Sequence, residues 1–435
     1  MLRLAHTGGL RASYLVNGLQ SRGLKGMAAR AIAVPSEGTI EQAARVLEMQ
    51  KQGRDVVRME IGDPDFSTPE HVKAAAVEAL QAGKTHYEAA GGSPAMREEV
   101  ARYFNRTRPG LHADAKNVLV TPGGKPVIFH TISVLCEPGD EVIFPDPGFP
   151  AYEACIRFTG ATPVPLKLHE ENGFRFSHAE LRKLVSPRTK LIIVCSPGNP
   201  TGGVLTQQDI DVVAEVAQES DAWVLSDEIY SQLIFQGRPD SVATRPGMQE
   251  RTIVLDGCSK THAMTGWRVG FGLFPPQLIE PARNLAIASW TCIPPFIAAG
   301  ALAALSGSSE ATDSMRSELQ ARRDLLFERL NAVPGIRVAV RPAGAMYLLA
   351  NIQKTGLTSR EFARQLLAEQ GVSVLDAEVF GAQGAGLVRI SFAEPQDRLL
   401  EGCRRIEAFM AMQRSIPPSM PDCTVSEHAS QGAVM

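Results

Sequence analysis

Short, uninterrupted apolar runs recur through the middle of the chain. Between about residues 70 and 305 they alternate with stretches of helical periodicity, and they lack the strict alternation of half-exposed strands. Strands that are buried on both faces have this pattern. The five clearest runs are 118–120, 142–144, 191–195, 223–225 and 253–255. The pattern predicts an α/β fold with a doubly wound, mostly parallel sheet.

A crossover helix is predicted between the third and fourth runs. Ile210, Val213, Ala214 and Ala217 recur there at the spacing of one helix face. Such a face lets a helix pack on the sheet while it connects two parallel strands. In sheets of this kind, ligands bind beyond the carboxyl ends of the strands. Residues that directly follow the apolar runs are therefore the first candidates for a functional site.

The chain after about residue 310 has a different pattern. It predicts three amphipathic helices and, at 336–340, a strand with one buried face. Thr358 and Glu361 have the spacing of a capping box before the second of these helices. The apolar positions of the three helices are Met315, Leu319, Leu326 and Leu330; Phe362, Leu366 and Leu367; and Leu400, Cys403, Ile406 and Phe409. We therefore predict a second, smaller α+β domain.

The change of pattern divides the chain into five predicted segments. Residues 70–308 form the large domain and residues 309–412 the small one. Residues 31–69 are an N-terminal arm that belongs with the small domain. Residues 1–30 are an extension or a targeting segment, and residues 413–435, rich in Ser, Pro and other polar residues, are a disordered tail.

Composition and charge narrow the possible partners. The 435 residues carry a formal net charge of −3 and are 44% hydrophobic, which is typical of a globular protein without a nucleic-acid surface. The longest apolar run, 290–305, contains two prolines and is too short to span a membrane. The seven cysteines have no metal-binding spacing, and their odd number argues against a full disulfide framework. We expect no membrane, nucleic-acid or metal partner, and a cytoplasmic location.

The first 36 residues leave an alternative location open. They contain no acidic residue and several basic ones, as mitochondrial and plastid transit peptides do. A disordered extension, or an upstream start codon with Met27 as the true initiator, explains the same composition. The basic residues are Arg3, Arg11, Arg22, Lys25 and Arg30.

Residues 256–270 give the first indication of chemistry. They place Lys260 eight residues before Arg268 in a stretch that also contains Gly257 and Gly266. A desolvated lysine amine is a nucleophile toward carbonyl groups. The planar guanidinium of an arginine matches the oxygens of a phosphate. Because pyridoxal 5′-phosphate (PLP) carries both an aldehyde and a phosphate, the pair suggests PLP as a cofactor.

Three further motifs agree with this hypothesis. Asn199 lies in a Ser-Pro-Gly-Asn-Pro-Thr-Gly segment, and Asp227 and Tyr230 lie in Ser-Asp-Glu-Ile-Tyr; both segments directly follow apolar runs. Arg389 lies in Val-Arg-Ile-Ser-Phe near the C-terminus. With these motifs, residues 30–412 resemble the class I/II aminotransferases of PLP fold type I. Within that family, the chain resembles the subgroup of bacterial aspartate aminotransferases.

Charge and hydrogen bonding suggest roles for these polar residues. A carboxylate beside the ring nitrogen of PLP keeps it protonated, and Asp227 is the candidate. Glu228 is the alternative carboxylate, although the resemblance places the ring partner at the first acid. Tyr230 and Asn199 can hydrogen-bond the ring hydroxyl. Arg389, flanked by apolar residues, can bind the α-carboxylate of a substrate in a bidentate pair.

A second group of residues is suited to the phosphate. Gly123 and Gly124 follow a predicted strand and, with Lys125, open a predicted helix. Glycines at this point let backbone N–H groups at a helix N-terminus approach a phosphate, although they equally mark any tight turn. Arg268 supplies the charge, and Ser259 offers a hydroxyl.

The resemblance implies further properties. It implies an enzyme of amino acid metabolism that moves an amino group from an L-amino acid to a 2-oxo acid such as 2-oxoglutarate, in a ping-pong reaction. Lys260 would bind PLP covalently and then carry a proton. Phe149 occupies the position of an aromatic residue on the pyridine face, and Gly62 matches a glycine that lines the substrate pocket. Tyr87 matches a tyrosine that reaches the neighbouring subunit's phosphate, which implies a homodimer with shared active sites.

The nature of the amino donor is less constrained. In the resembling aspartate aminotransferases, the positions of Lys125 and Thr39 contribute to recognising a distal carboxylate. Alternatively, Lys125 faces solvent on the first turn of its helix. We predict a dicarboxylic donor such as aspartate, with aromatic or neutral amino acids as the next candidates.

Two other functions use nearly the same residues. A PLP-dependent C–S lyase or an aminocyclopropanecarboxylate-synthase-like lyase would differ only in the routing of protons. A non-catalytic PLP-binding module of a regulator would need a DNA-binding region, and residues 1–40 are too few and too rich in glycine to form one.

Overall fold

The computed structural model describes residues 26–35 and 38–415. The predicted extension up to residue 25 and the predicted tail after residue 415 lie outside the described residues. The domain boundaries and the possible targeting segment therefore stay predictions.

The described residues form fourteen α-helices, in addition to short 3₁₀ turns. In the first half of the chain they are α1 Ala29–Ile32, α2 Gly38–Lys51, α3 Glu70–Gln81, α4 Pro94–Thr107, α5 Lys125–Leu135, α6 Ala151–Thr159 and α7 His178–Leu184. In the second half they are α8 Gln207–Glu219, α9 Cys258–Thr261, α10 Pro276–Ser289, α11 Pro295–Ser306, α12 Glu310–Asn331, α13 Ser359–Gln370 and α14 Gln396–Ser415.

Thirteen strands accompany them in the described part of the chain. Strands of the first half are β1 Val57–Arg58, β2 Val118–Thr121, β3 Glu141–Asp146, β4 Thr162–His169, β5 Arg175–Phe176 and β6 Thr189–Cys195. Strands of the second half are β7 Trp223–Asp227, β8 Thr252–Gly257, β9 Gly270–Leu273, β10 Tyr347–Asn351, β11 Val372–Ser373, β12 Leu375–Asp376 and β13 Leu387–Ser391.

Eight strands form one large sheet in the order β2-β9-β8-β7-β6-β3-β4-β5. Strands β8, β7, β6, β3 and β4 run parallel to one another, whereas β9 and the edge strand β5 are antiparallel to their neighbours. In the register of the sheet, Cys195 lies opposite Asp227 and Asp227 lies opposite Leu255. The carboxyl ends of β6, β7 and β8 therefore lie side by side, as the sequence predicted.

Both faces of the large sheet are buried under helices. Alternate residues of each strand separate into two cores, with Ile193 and Leu225 in one and Val194 and Val224 in the other. Side chains of α5, α6 and α10 fill the first core. Those of α8 fill part of the second, and α4 and α11 contribute to a neighbouring core over β2, β8 and β9. This double burial explains why the strands read as continuous apolar runs.

A second, smaller layer lies over the carboxyl edge of the large sheet. Strands β10, β13 and β12 form an antiparallel sheet, and β1 from the N-terminal part pairs with β11 in parallel. Helices α12, α13 and α14 pack on these strands in one apolar core. The predicted capping box is present, because Thr358 and Glu361 each bond the other's backbone N–H at the start of α13.

Two details differ from the sequence-based expectation. The segment 336–340 was expected to be a strand, but only an isolated bridge between Arg337 and Asn351 forms there. In α14 the predicted positions Cys403, Ile406 and Phe409 are buried, but the leucine that packs with them is Leu399, one helical turn before Cys403, and Leu400 is exposed. This helix also continues to Ser415, three residues into the predicted tail.

Two expectations about composition can be compared with the described residues. Among them, no helix is both long and apolar enough to cross a membrane. All six cysteines in this part of the chain are free thiols, and no cluster of potential metal ligands is found in the same residues.

Candidate active site

A cavity of about 360 Å³ lies where the small layer meets the carboxyl edge of the large sheet. Its floor is formed by residues at or after the ends of β6, β7 and β8 and by the first turns of α5. Its roof comes from the loop around Gly62 and from Tyr347, Phe380 and Arg389 of the C-terminal part. Segments from four distant parts of the sequence therefore share one site.

Lys260 lies in α9, the short helix that directly follows β8. Its side chain enters the cavity, where Nζ donates a hydrogen bond to the backbone oxygen of Gly62. A side chain at position 62 would collide with the hydroxyl of Tyr347, since a Cβ atom there would lie 1.7 Å from that oxygen. Glycine is thus needed for the close approach of this loop to Tyr347.

The start of α5 and Arg268 form a cradle at one end of the cavity. Gly124 is the N-cap of α5 and offers no side-chain cap, so the first N–H groups of the helix are left for another acceptor. Gly123 has a φ of +90°, and a Cβ atom there would lie 2.1 Å from Nη2 of Arg268. Arg268 Nη1 donates to the Thr265 carbonyl over 3.0 Å, and the buried Ser259 also lines the cavity. N–H groups, a hydroxyl and a guanidinium suit a phosphate.

Asp227 is buried at the other end, at the last position of β7. Its Oδ2 accepts a hydrogen bond of 2.7 Å from the Tyr152 hydroxyl, and its Oδ1 accepts one of 3.2 Å from the Ile229 N–H. Burial raises the pKa of Asp227 to about 6, although these hydrogen bonds act to lower it. A buried carboxylate of this kind is completed by a protonated nitrogen, which is the partner that PLP offers.

The guanidinium of Arg389 is buried at the roof of the cavity, in a polar pocket that suits an anion. Its Nη1 donates to Asn199 Oδ1 over 3.0 Å, and its Nη2 donates to the backbone oxygen of Glu60. The guanidinium lies between two aromatic rings, 4.3 Å from the centroid of Tyr347 and 4.8 Å from that of Phe380. Its Nε has no hydrogen-bond partner, and burial lowers the pKa of the group. Such an incompletely satisfied buried cation favours a carboxylate ligand.

Two tyrosines link this pocket to the middle of the cavity. The hydroxyls of Tyr230 and Tyr347 lie 2.9 Å apart, and their rings meet edge to face. Burial raises the pKa of the Tyr230 phenol well above its ordinary value. The phenol therefore stays protonated and remains a hydrogen-bond donor at neutral pH.

Phe149 and Lys125 line the side of the cavity. Phe149 packs edge to face on Tyr152, with ring centroids 5.8 Å apart and an interplanar angle of 88°. Lys125 is exposed at the rim, and its Nζ lies 5.4 Å from the centroid of the Phe149 ring. Lys125 borders the cavity and also faces solvent, so both sequence-based alternatives for this residue stay predictions.

The structure brings nearly all the predicted site residues together. The residues that line the cavity are Gly62, Gly124, Lys125, Phe149, Asn199, Asp227, Tyr230, Ser259, Lys260, Arg268 and Arg389, together with Thr39. Gly123 lies beside them, in contact range of Arg268. Tyr87 does not line the cavity, and 89% of its surface is exposed.

Sequence reasoning missed three aromatic residues of the site: Tyr152, Tyr347 and Phe380. Tyr152 lies three residues after Phe149, so the two share a face of α6 and its preceding turn. That spacing was a usable signal. Tyr347 and Phe380 lie in the C-terminal part: the pairing of β10 with β13 brings Tyr347 to Arg389, and Phe380 follows β12, which also pairs with β13.

Comparison with known proteins agrees with the site. A sequence model described as aminotransferase class I and II matches residues 54–406. The arginine–pyruvate transaminase AruH of Pseudomonas aeruginosa is 40% identical over 362 residues, which are 83% of this chain and 92% of the relative. Aromatic-amino-acid aminotransferase 2 of Thermococcus litoralis is 39% identical over 365 residues, 83% of this chain and 93% of the relative.

A solved structure extends the likeness to the fold. The aspartate aminotransferase from Thermus thermophilus with maleate superposes with a TM-score of 0.84 at 35% identity, covering 88% of this chain and all of that one. The cofactor of the family is PLP, and the cradle, the buried carboxylate and the lysine found here suit it. The chain belongs to the class I and II aminotransferases and is a PLP-dependent transaminase.

Proposed function

We propose that this cavity binds PLP and transfers an amino group from a dicarboxylic L-amino acid to a 2-oxo acid, with Lys260 as covalent anchor and proton carrier. When bound, PLP withdraws electrons from the substrate α-carbon, which makes its proton removable. The observation that carries the proposal is the shared cavity of Lys260, Asp227 and the buried Arg389.

The two ends of the cavity would fix the cofactor. Arg268, the N–H groups at the start of α5 and the Ser259 hydroxyl would hold its phosphate. Asp227 would hold the ring nitrogen in its protonated form, since a buried carboxylate stabilises an adjacent cation. Tyr152 would keep the carboxylate in place through its 2.7 Å hydrogen bond. Tyr230 and Asn199 would donate to the ring hydroxyl, and Phe149 would pack on the ring face.

Arg389 would bind and orient the substrate. Its planar guanidinium, held between two aromatic rings, is preorganised to accept the α-carboxylate. An amino acid held there would have its α-carbon close to Lys260, which lines the same cavity. Lys260 Nζ would then remove the α-proton and return it on the other side of the transferred nitrogen, as a general base and acid.

A single receptor also explains the use of two substrates in turn. Amino acids and 2-oxo acids share the α-carboxylate that Arg389 would bind, so the product of the first half-reaction must leave before the second substrate enters. A ping-pong sequence follows from this competition. We propose 2-oxoglutarate as the acceptor, since a dicarboxylate would use the same side-chain pocket as an acidic donor.

Lys125 favours an acidic donor. It borders the cavity at the rim, near Thr39 and Phe149, where the distal end of a substrate would lie. The solved Thermus thermophilus relative was described with maleate, a dicarboxylate. A second candidate is an aromatic donor, because Ile61, Phe149 and Phe380 give the same region an apolar wall. The relative from Thermococcus litoralis is named for such substrates.

A homodimer would place Tyr87 at a second active site. Tyr87 is almost fully exposed in the chain and lies outside its own cavity. Other large apolar side chains are also more than half exposed, namely Val77, Leu80 and Ile287. A second copy of the chain would cover exposed apolar side chains of this kind. Tyr87 would then reach the phosphate held by the partner.

Asp227→Asn, which removes the charge of this side chain, should raise the free energy of unfolding of the cofactor-free protein. The pKa is raised to about 6 in the fold, so the folded chain binds the proton more tightly than the unfolded chain. That contribution to stability is complete below about pH 4 and is lost as the pH rises through 6. At pH 8, Asp227→Asn should therefore unfold at a higher urea concentration than wild type, because its free energy of unfolding is greater by up to about 3 kcal/mol. At pH 4 the variant should show no such gain. Equal effects at both pH values would contradict the role of ionisation.

Loss of Arg389 should affect the substrate and not the cofactor. Arg389→Ala should lower kcat/KM for amino and oxo acids by at least about 100-fold, because a charge-assisted bidentate contact is removed. The visible absorbance of bound PLP after gel filtration should be unchanged. Arg389→Lys is the matched control, and it should recover part of the loss since it keeps the charge. Loss of PLP in either variant would show that Arg389 supports the cofactor site instead.

The shared site can be tested by mixing two impaired chains. Random exchange between Tyr87→Ala and Lys260→Ala chains should restore about one quarter of wild-type sites, since half of the dimers are hybrids with one complete site each. Mixing Arg389→Ala with Lys260→Ala is the control and should restore nothing, because both residues belong to the cavity of one chain. Absence of recovery in the first mixture, with subunit exchange verified, would place Tyr87 elsewhere.

The choice of donor depends on Lys125. In half-reactions followed by the absorbance of PLP, aspartate should react faster than alanine or phenylalanine. Lys125→Ala should reduce the preference for aspartate over phenylalanine by about fivefold, the strength of a partly exposed ion pair. Lys116→Ala, which removes an exposed lysine outside the cavity, should leave the preference unchanged. If wild type does not prefer aspartate, the aromatic donor becomes the better hypothesis.

A further inference from the structure

A buried polar cluster lies next to the active-site cavity without lining it. At its centre is Arg108, the residue that follows α4, which is only 1% exposed. Glu228 and Asp256 are its carboxylate partners and are equally buried. We call these three residues and the hydroxyl groups bonded to them the Arg108 cluster. The hydroxyl groups belong to Tyr103, Thr107, Ser226, Ser231 and Ser241.

All three nitrogens of the Arg108 guanidinium donate hydrogen bonds. Nε donates to Glu228 Oε2 and Nη2 donates to Asp256 Oδ2, both over 2.5 Å. Nη2 also donates to Ser231 Oγ over 3.1 Å, and Nη1 donates to Thr107 Oγ1 over 2.7 Å. The fork of an arginine can make this set of contacts at once, whereas the single ammonium group of a lysine cannot.

The remaining carboxylate oxygens also have donors. Glu228 Oε1 accepts from Ser226 and Ser241, over 2.7 and 2.6 Å. Asp256 Oδ1 accepts from the Gly257 N–H over 2.7 Å. A buried network in which every charged oxygen is satisfied is rigid, because any movement leaves a charge unpaired in a region of low dielectric.

The cluster joins the two chain segments that carry the proposed chemistry. Glu228 directly follows Asp227 at the end of β7. Asp256 lies in β8, four residues before Lys260. Strands β7 and β8 pair only as far as the register Asp227–Leu255. Beyond that point, Arg108 connects the two strands through side chains.

We propose that Arg108, through Glu228 and Asp256, is a positioning residue for transamination that holds Asp227 and Lys260 at a fixed separation. One residue would bind the ring nitrogen of the cofactor and the other its aldehyde carbon, at opposite sides of the same ring. An error in their separation would misplace the α-proton relative to Lys260 Nζ. Small misplacements of reacting groups cost large factors in rate.

Stability alone does not account for the cluster. A buried arginine with two carboxylates is costly to desolvate, and apolar residues of similar volume often serve a fold equally well. The cluster also has a net negative charge, and it lies near Asp227. The other groups that face Asp227 are the Tyr152 hydroxyl, the Cys195 thiol and the Ile229 N–H. The charges of Glu228 and Asp256 therefore act on Asp227 as well as fix its position.

The test compares two Glu→Gln variants of the PLP-loaded enzyme. Glu228→Gln weakens the cluster but keeps its shape, since the Ser226 and Ser241 hydroxyls can rotate to accept from the new amide. Glu141→Gln is the matched control, because Glu141 is buried and bonded to Ser186 and Arg188 at the opposite, amino edge of the sheet. Arg108→Lys keeps the charge and removes the fork. For each variant, kcat per PLP-loaded site, KM and the pH dependence of PLP affinity are measured.

The two groups of variants should differ clearly. Arg108→Lys and Glu228→Gln should lower kcat per loaded site by about tenfold or more, with KM within about twofold of wild type, since Arg389 is not part of the cluster. Glu228→Gln should also move the acid limit of PLP binding to lower pH, because a negative charge near Asp227 is removed. Glu141→Gln should change neither quantity.

Two results would overturn the proposal. One is a kcat per loaded site within twofold of wild type in both cluster variants. The other is a shifted acid limit with an unchanged kcat, since the cluster would then act through its charge alone. If Arg108→Lys does not fold, Ser231→Ala replaces it, because it removes one contact of Arg108 without touching a charge. An unchanged kcat in both Ser231→Ala and Glu228→Gln would then overturn the proposal.

Discussion

The site depends on the side-by-side arrangement of parallel strand ends. Because β6, β7 and β8 are parallel neighbours, the residues that follow them are delivered to one edge of the sheet. Asn199, Asp227 and Lys260 are far apart in the sequence, and no local structure could bring them together. The position of this edge is fixed by the burial of the strands on both faces. Each strand has apolar side chains on both faces, so a slip in register would displace all of them.

The burial of charged side chains is the second constraint. It opposes the first, because charged groups at the buried strand ends are costly to remove from water. Burial in the carboxyl edge makes Asp227 a weak acid in the absence of a cation, and it leaves Arg389 with an unpaired Nε. Both residues are therefore costly to the chain alone and are stabilised by ligands of opposite charge. The protein places a buried anion where a protonated nitrogen is expected and a buried cation where a carboxylate is expected. The two buried charges of opposite sign give the cavity a direction. A protonated nitrogen would pair at the Asp227 end and a carboxylate at the Arg389 end.

Local patterns in the sequence predicted the large sheet well and the small layer less well. The runs at 118–120 and 223–225 became strands because continuous apolar residues satisfy two helix-covered faces. The alternating run 336–340 did not, because a partner strand was available to it only at one bridge. In the site, motif residues such as Lys260 and Arg389 were predictable from the chemistry they allow. Tyr347 and Phe380 were not, since their position follows from the pairing of β10 and β13 and from packing.

The roof of the cavity shows why the two parts of the chain must act together. The anion receptor is assembled from Glu60 before the large sheet, Asn199 after β6 and Arg389 in β13. All of these segments are needed to orient Arg389, because its guanidinium is held by hydrogen-bond acceptors from Glu60 and Asn199 and by the rings of Tyr347 and Phe380. A carboxylate that neutralises Arg389 would therefore add to the contact between the small layer and the strand edge. A ligand without an α-carboxylate would leave the buried guanidinium incompletely paired, so it would not add to the contact between the two parts of the chain.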